Sequence, residues 1–152
     1  MLRRLHLISS TLALMCIATF FLSTIFVELI GSGRSIASLK HLIVSPGLWI
    51  LVPTMIATGA SGVLMSRKRQ GRLVALKKKR MPFIAANGLL VLMPCAIVLN
   101  QWASAGIFDT RFYFVQVIEL IAGVTNLALM GLNMRDGLRL SGRLLRVARH
   151  RQ

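Results

Sequence analysis

The sequence predicts an all-α integral membrane protein: a four-helix up-down bundle with a basic amphipathic C-terminal tail. Three observations carry this. Hydrophobic residues make up 55% of the chain and charged residues only 15%, too few to dress an ordinary soluble surface. The apolar residues come in four blocks, each long enough to cross a hydrocarbon core of about 30 Å. The basic residues collect at the ends and between blocks two and three, with 16 of the 19 Lys and Arg in segments 1–6, 67–80 and 134–152. That bias is the positive-inside pattern.

The same distribution accounts for the net charge of +15. Basic residues beside membrane spans meet anionic lipid head groups, so the charge implies a cytoplasmic membrane face and no nucleic acid. The mean hydropathy of +0.70 agrees. Cys16 and Cys95 both fall inside apolar blocks and form no CxxC pair, so a disulfide framework or thiol–disulfide enzyme is not implied.

Residues 1–134 are predicted to form the transmembrane domain and 135–152 the basic cytoplasmic tail. The first apolar block, residues 7–30, follows the basic start MLRRLH. It exceeds a signal-peptide core and lacks an A-x-A site, which predicts an uncleaved first span. Residues 31–40, GSGRSIASLK, read as a polar loop. The second helix is predicted over about 42–66, with Ser45 and Pro46 suited to N-cap and first-turn positions. Its small face (Gly47, Thr54, Thr58, Ser61, with Gly59 and Gly62) would let another helix approach closely. Residues 67–80 carry eight basic residues and no acid. The third helix is predicted from Pro82 to about 104. Asp109 is a plausible N-cap for the fourth, over 110–133. In the tail, Arg135, Arg139, Arg143 and Arg146 recur at helical spacing, as in a helix lying on the membrane. Four spans and the basic bias put both termini in the cytoplasm of a bacterial inner membrane.

Glu119 is the residue that most invites a function. It lies near mid-depth of the fourth helix, on a stripe of Gln116, Glu119, Gly123, Asn126, Met130 and Asn133. The steps of three and four place these residues on one helix face. An intramembrane acid is expensive and faces a bundle interior. No Lys or Arg within the predicted spans can pair with it, and Arg111 lies two turns nearer the surface. The expected partners are neutral: Asn87, Asn100, Thr54, Thr58, Gln116 or Asn126. The seam, Gln116, Glu119, Asn126 and Asn133, would bind helices together or serve a proton- or cation-coupled site. Pro53 and Pro94 would kink helices two and three, freeing a carbonyl in each. Gly123 would allow close packing beside the acid.

Two cofactors have candidate ligands. Met15, Cys16, Met55, Met93 and Cys95 are soft donors near mid-depth on three helices that would suit copper. Haem would need His6 or His41, which lie at opposite ends of the membrane and cannot share one iron; His6 with an inner-end Met (Met65, Met81 or Met134) is the remaining arrangement. No catalytic set or nucleotide motif is present in the sequence.

A histidine before helix one, P-G-L at Pro46, Gly47 and Leu48, and T-G-x-S-G-x-L across Thr58, Gly59, Ser61, Gly62 and Leu64 carry a resemblance. This pattern resembles small bacterial four-helix inner-membrane proteins of unknown function that are distantly similar to the copper-resistance protein D type. The resemblance implies the fold. The histidines that bind metal in related bundles have no counterpart inside helices two to four.

The sequence thus predicts a non-catalytic component or assembly partner of a membrane complex, with lipid and a membrane-protein partner or a second copy as contacts. A small proton- or cation-coupled transporter using Glu119, and a haem- or quinone-binding redox subunit, are the alternatives.

Overall fold

In the computed structural model the described residues, 1–66 and 72–140, are almost wholly helical. The helices are α1 (Leu2–Ile30), α2 (Gly33–Leu42), α3 (Leu48–Ser66), α4 (Arg72–Asn87), α5 (Met93–Ser104) and α6 (Thr110–Leu140). Widened π-type turns at Ile43–Gly47 and Gly88–Leu92 join α2 to α3 and α4 to α5. The result among the described residues is four spans long and apolar enough to cross a membrane. They are α1, α2 with α3, α4 with α5, and α6. The chain is a multi-pass membrane protein.

The spans pack in sequence order, one on two, two on three, three on four, and four back on one. This is the ring that short connections between antiparallel helices produce. A buried apolar cluster of Ala13, Ile17, Leu51, Ile84 and Met130 draws on all four spans. A second cluster, Ile36, Leu99, Ala103 and Phe112, presses α2 onto α5 and α6 at the end opposite the N-terminus. There Phe108 and Phe112 meet edge to face at 5.1 Å between centroids.

Local chemistry sets the helix ends. The Asp109 carboxylate accepts the Phe112 N–H at 3.0 Å, so it caps α6 as its position predicts. At the end of α5, Gly106 takes φ +71. Its N–H reaches the Ala103 carbonyl while that of Ile107 reaches Trp102 at 2.9 Å. This is a Schellman stop, and its left-handed residue favours glycine.

Three boundaries differ from expectation. Residues 31–40 are not simply a loop: α2 starts at Gly33, with the Ser32 hydroxyl accepting the Ser35 N–H. Ile36, Lys40, Ile43 and Gly47 form its buried face, at steps of four, three and four. Span three starts at Arg72, ten residues before Pro82, so Pro82 lies within a helix rather than in its first turn. Helix α6 continues past Asn133 to Leu140. These last two extensions support each other, because α4 and α6 bond across their added turns. The proposed surface helix of the tail falls mainly on 141–152, outside the described residues.

The sharpest backbone departure in span two is at Ser45, with φ −137 and ψ 112. Helix α3 runs on through Pro53. In span three the widened turn Gly88–Leu92 directly precedes Pro94. Proline has no N–H to offer the preceding turn, and the wider turn adapts the backbone there.

Candidate functional site

Glu119 is paired with Lys40. The Lys40 Nζ donates to Glu119 Oε2 at 2.6 Å, and the two side chains are 1% and 12% exposed. This overturns the expectation that no Lys or Arg pairs with the acid; of the neutral partners expected, Gln116 does bond it. Lys40 lies seven residues into α2, about 10 Å of rise, and Glu119 nine residues into α6, about 13 Å. Both helices start at the same end of the bundle and run in the same direction, so the two residues sit at similar depth, and their bond joins span two to span four across the bundle. The signal was present in the sequence. Lys40 keeps helical step with Ile36 and Ile43, but its polar neighbours made the segment read as a loop.

Around this pair the other groups take defined places. Gln116, 3% exposed, donates its Nε2 to the same Glu119 Oε2 at 3.0 Å. Its Oε1 is buried without a hydrogen-bond partner, as are Glu28 Oε1 and Asn100 Oδ1. Glu28 lies within electrostatic reach of both Lys40 and Glu119.

Glu119 also forms part of a cavity wall. The cavity has a volume of about 240 Å³ and touches all four spans. Its surface is apolar, including Phe20, Phe21, Met55 and Met93, with Thr24 and Glu119 as its polar side chains. Both bonds of the carboxylate go to Oε2. Gly59, Gly88 and Gly123 line the same space. A Cβ on Gly59 would meet nothing within 4 Å, whereas one on Gly123 would lie 3.2 Å from the Phe21 ring.

One helical stretch below, Asn87 Nδ2 donates to Asn126 Oδ1 at 2.9 Å and to the Ala122 carbonyl at 2.8 Å. Asn126 is fully buried. Asn133, next on the stripe, keeps a buried Oδ1 without a partner. The stripe then reaches one more position, Asp136, which is 1% exposed. Arg80 donates to Asp136 Oδ2 at 2.8 Å, and Arg135 approaches Oδ1 at 3.4 Å. Lys77 lies over Gly137, with its Nζ 3.2 Å from where a Cβ would stand. Asp136 was read as part of the tail. It instead gives α4 and α6 a second buried ion pair, one step of three beyond Asn133.

The small-residue face of span two has several uses. Gly47 lies under the Phe20 ring, and Gly62 lies between Met81 and His6. Ser61 Oγ is 3.0 Å from His6 Nδ1, and the Thr58 carbonyl is 3.2 Å from it. Ser61 donates its own proton to the Ala57 carbonyl, and the Thr58 carbonyl can only accept, so His6 Nδ1 is the donor in both contacts. Thr54 and Thr58 donate to carbonyls of their own helix rather than to Glu119.

Of the metal candidates, His6 and Met81 come together around Gly62, while His41 is exposed. Met55 and Met93 share the cavity. Cys16 and Cys95 are free thiols. Among the described residues no three His, Cys, Asp or Glu side chains converge as a metal-binding group.

Comparison with protein-family profiles, curated proteins and solved structures finds no match to this chain.

Proposed function

We propose that this protein is a non-catalytic component of a bacterial inner membrane, an assembly partner that packs against another membrane protein or a second copy of itself. One observation carries the reading. Three pairs of interior charges and amides bond between helices: Lys40 with Glu119, Arg80 with Asp136, Asn87 with Asn126. Such bonds hold helices in register. The outward surface is left to large apolar groups such as Trp49, Phe83, Leu90 and Phe114, suited to lipid and to a membrane partner. Purification in mild detergent after crosslinking in native membranes tests this. A stoichiometric membrane partner or a homo-oligomer is expected; a monomer with nothing crosslinked would count against it.

Both termini belong to the cytoplasmic side in this reading. With Lys40 drawn into the bundle, the basic residues left near the opposite end are Arg34 and Arg111. The cluster of Lys77, Arg80 and Arg135 around Asp136 keeps an excess of positive charge at the end that would face anionic head groups. Thiol labelling checks the orientation. A cysteine at Ser35 should react from outside the cell, and one at Lys78 only after permeabilisation.

A second reading, a small proton- or cation-coupled carrier using Glu119, draws support from the cavity that the carboxylate borders. It requires that Glu119→Gln abolish flux in reconstituted vesicles.

A further inference from the structure

The cavity between the four spans, partly open where Ile56 and Leu89 are exposed, has the size and chemistry of a ligand site. We propose that it binds a neutral, single-ring molecule bearing a hydroxyl donor, the chemistry shared by a simple phenol and a hydroquinone head group. This inference stands independently of the assembly reading.

Size comes first. An apolar cavity of about 150 Å³ accommodates a benzene ring. At about 240 Å³, this one accommodates one substituted ring but is small for a larger polycyclic ligand. Water is a poor occupant, because an ordered water needs two to four polar partners and the side chains here supply Thr24 and Glu119. The Phe20, Phe21, Met55 and Met93 side chains offer ring and sulfur contacts suited to an aromatic guest. Glycine contributes to the space. Gly59 stands in a helix interior, where glycine costs about 1 kcal/mol relative to alanine, yet a side chain there would meet no neighbour within 4 Å.

Charge and hydrogen bonding narrow the class. Glu119 is already held by an ammonium, with both of its bonds made to Oε2. The pair is neutral as a unit, so an additional organic cation has no uncompensated charge to meet at Glu119. An anion would face the carboxylate in an apolar chamber. A neutral hydroxyl donates to the carboxylate without changing the charge balance. It thereby gains a hydrogen bond to a charged acceptor, the stronger kind. Lys40 is 1% exposed and does not line the cavity, so its role is to hold the acceptor in place.

The test uses the full chain in detergent micelles, with 4-fluorophenol and fluorobenzene as probes read by fluorine NMR. The phenol should bind saturably and about ten- to a hundred-fold more tightly than fluorobenzene, the worth of one bond to a charged acceptor. In protein carrying methyl-labelled methionine, the Met55 and Met93 signals should shift and that of exposed Met15 should not. Gly59→Leu, which fills the cavity, should abolish binding, while Gly131→Leu, at an open surface position, should leave it unchanged. Equal affinity for the two probes, or a Met55 and Met93 pair that does not respond, would overturn the proposal, and neither result depends on a variant folding. Displacement of 4-fluorophenol by hydroquinone carrying an isoprenoid tail at lower concentration than by bare hydroquinone assigns a membrane-borne ring. The reverse order assigns a water-borne one. Failure of both to displace the probe also refutes the class.

Discussion

Replacing Lys40 with methionine tests the central pair. The substitution preserves length and apolar packing but leaves Glu119 without its ammonium. The carboxylate would keep one bond, from Gln116 at 3.0 Å, in a site that is 12% exposed. Removing one partner of a buried ion pair costs about 3–5 kcal/mol, chiefly because the remaining charge is stranded. Because the Gln116 bond remains, we expect the lower end, about 3 kcal/mol. Glu119→Leu strands Lys40, which is 1% exposed, and should cost as much or more. The double variant Lys40→Met/Glu119→Leu removes both charges and should lie within about 1 kcal/mol of the natural protein, since apolar replacement of a whole buried pair is often neutral. The assay is reversible unfolding in mixed micelles, followed by the fluorescence of Trp49 and Trp102. Strong non-additivity is the expected signature. Single variants that each cost under about 0.5 kcal/mol, with effects that simply add, would refute the pairing of these two residues.

Further outcomes follow from the rest of the seam. Arg80→Leu should cost about 1.5–3 kcal/mol, the worth of a hydrogen bond to a charged group; the same unfolding assay reads it, and Arg135 remains near Asp136 to moderate the loss. Asn126→Leu should cost about 1–2 kcal/mol, as expected for interhelical amide bonds in membranes. It should also weaken crosslinking between cysteines placed on α4 and α6. Gly59→Ala should stabilise by about 0.4–1 kcal/mol, because its methyl meets no neighbour. Gly62→Ala should show no such gain in a thermal melt, since its methyl would displace the Met81 side chain and crowd His6.

Much of the seam was legible because it lies on one helix. Gln116, Glu119, Asn126 and Asn133 share a face by their spacing alone, and the same spacing, carried one step further, reaches Asp136. Its partner groups were less legible. The sequence offers Asn87 as a partner for Glu119; it bonds to Asn126 instead. The stretch GSGRSIASLK is small and polar, which points to a loop for Lys40, although Ser32 has a capping side chain and Ile36, Lys40 and Ile43 keep helical step. Arg80 looked like one of a run of surface basic residues, and only its position opposite Asp136 distinguishes it from Lys78 and Lys79.

The sequence by itself determined that this chain is helical, that it has four segments able to cross a membrane, and that an acid lies within the last of them. Those properties are sums over neighbouring residues: hydropathy over a span, periodicity along a helix, a capping side chain three residues from the N–H it accepts. The tertiary structure decided what the acid meets. Lys40 and Glu119 are separated by 79 positions in the chain, and their bond depends on how spans two and four face each other once the ring has closed. The cavity beside them is likewise a property of the assembled bundle. It exists because residues from all four spans, small ones among them, surround a volume that no single helix specifies.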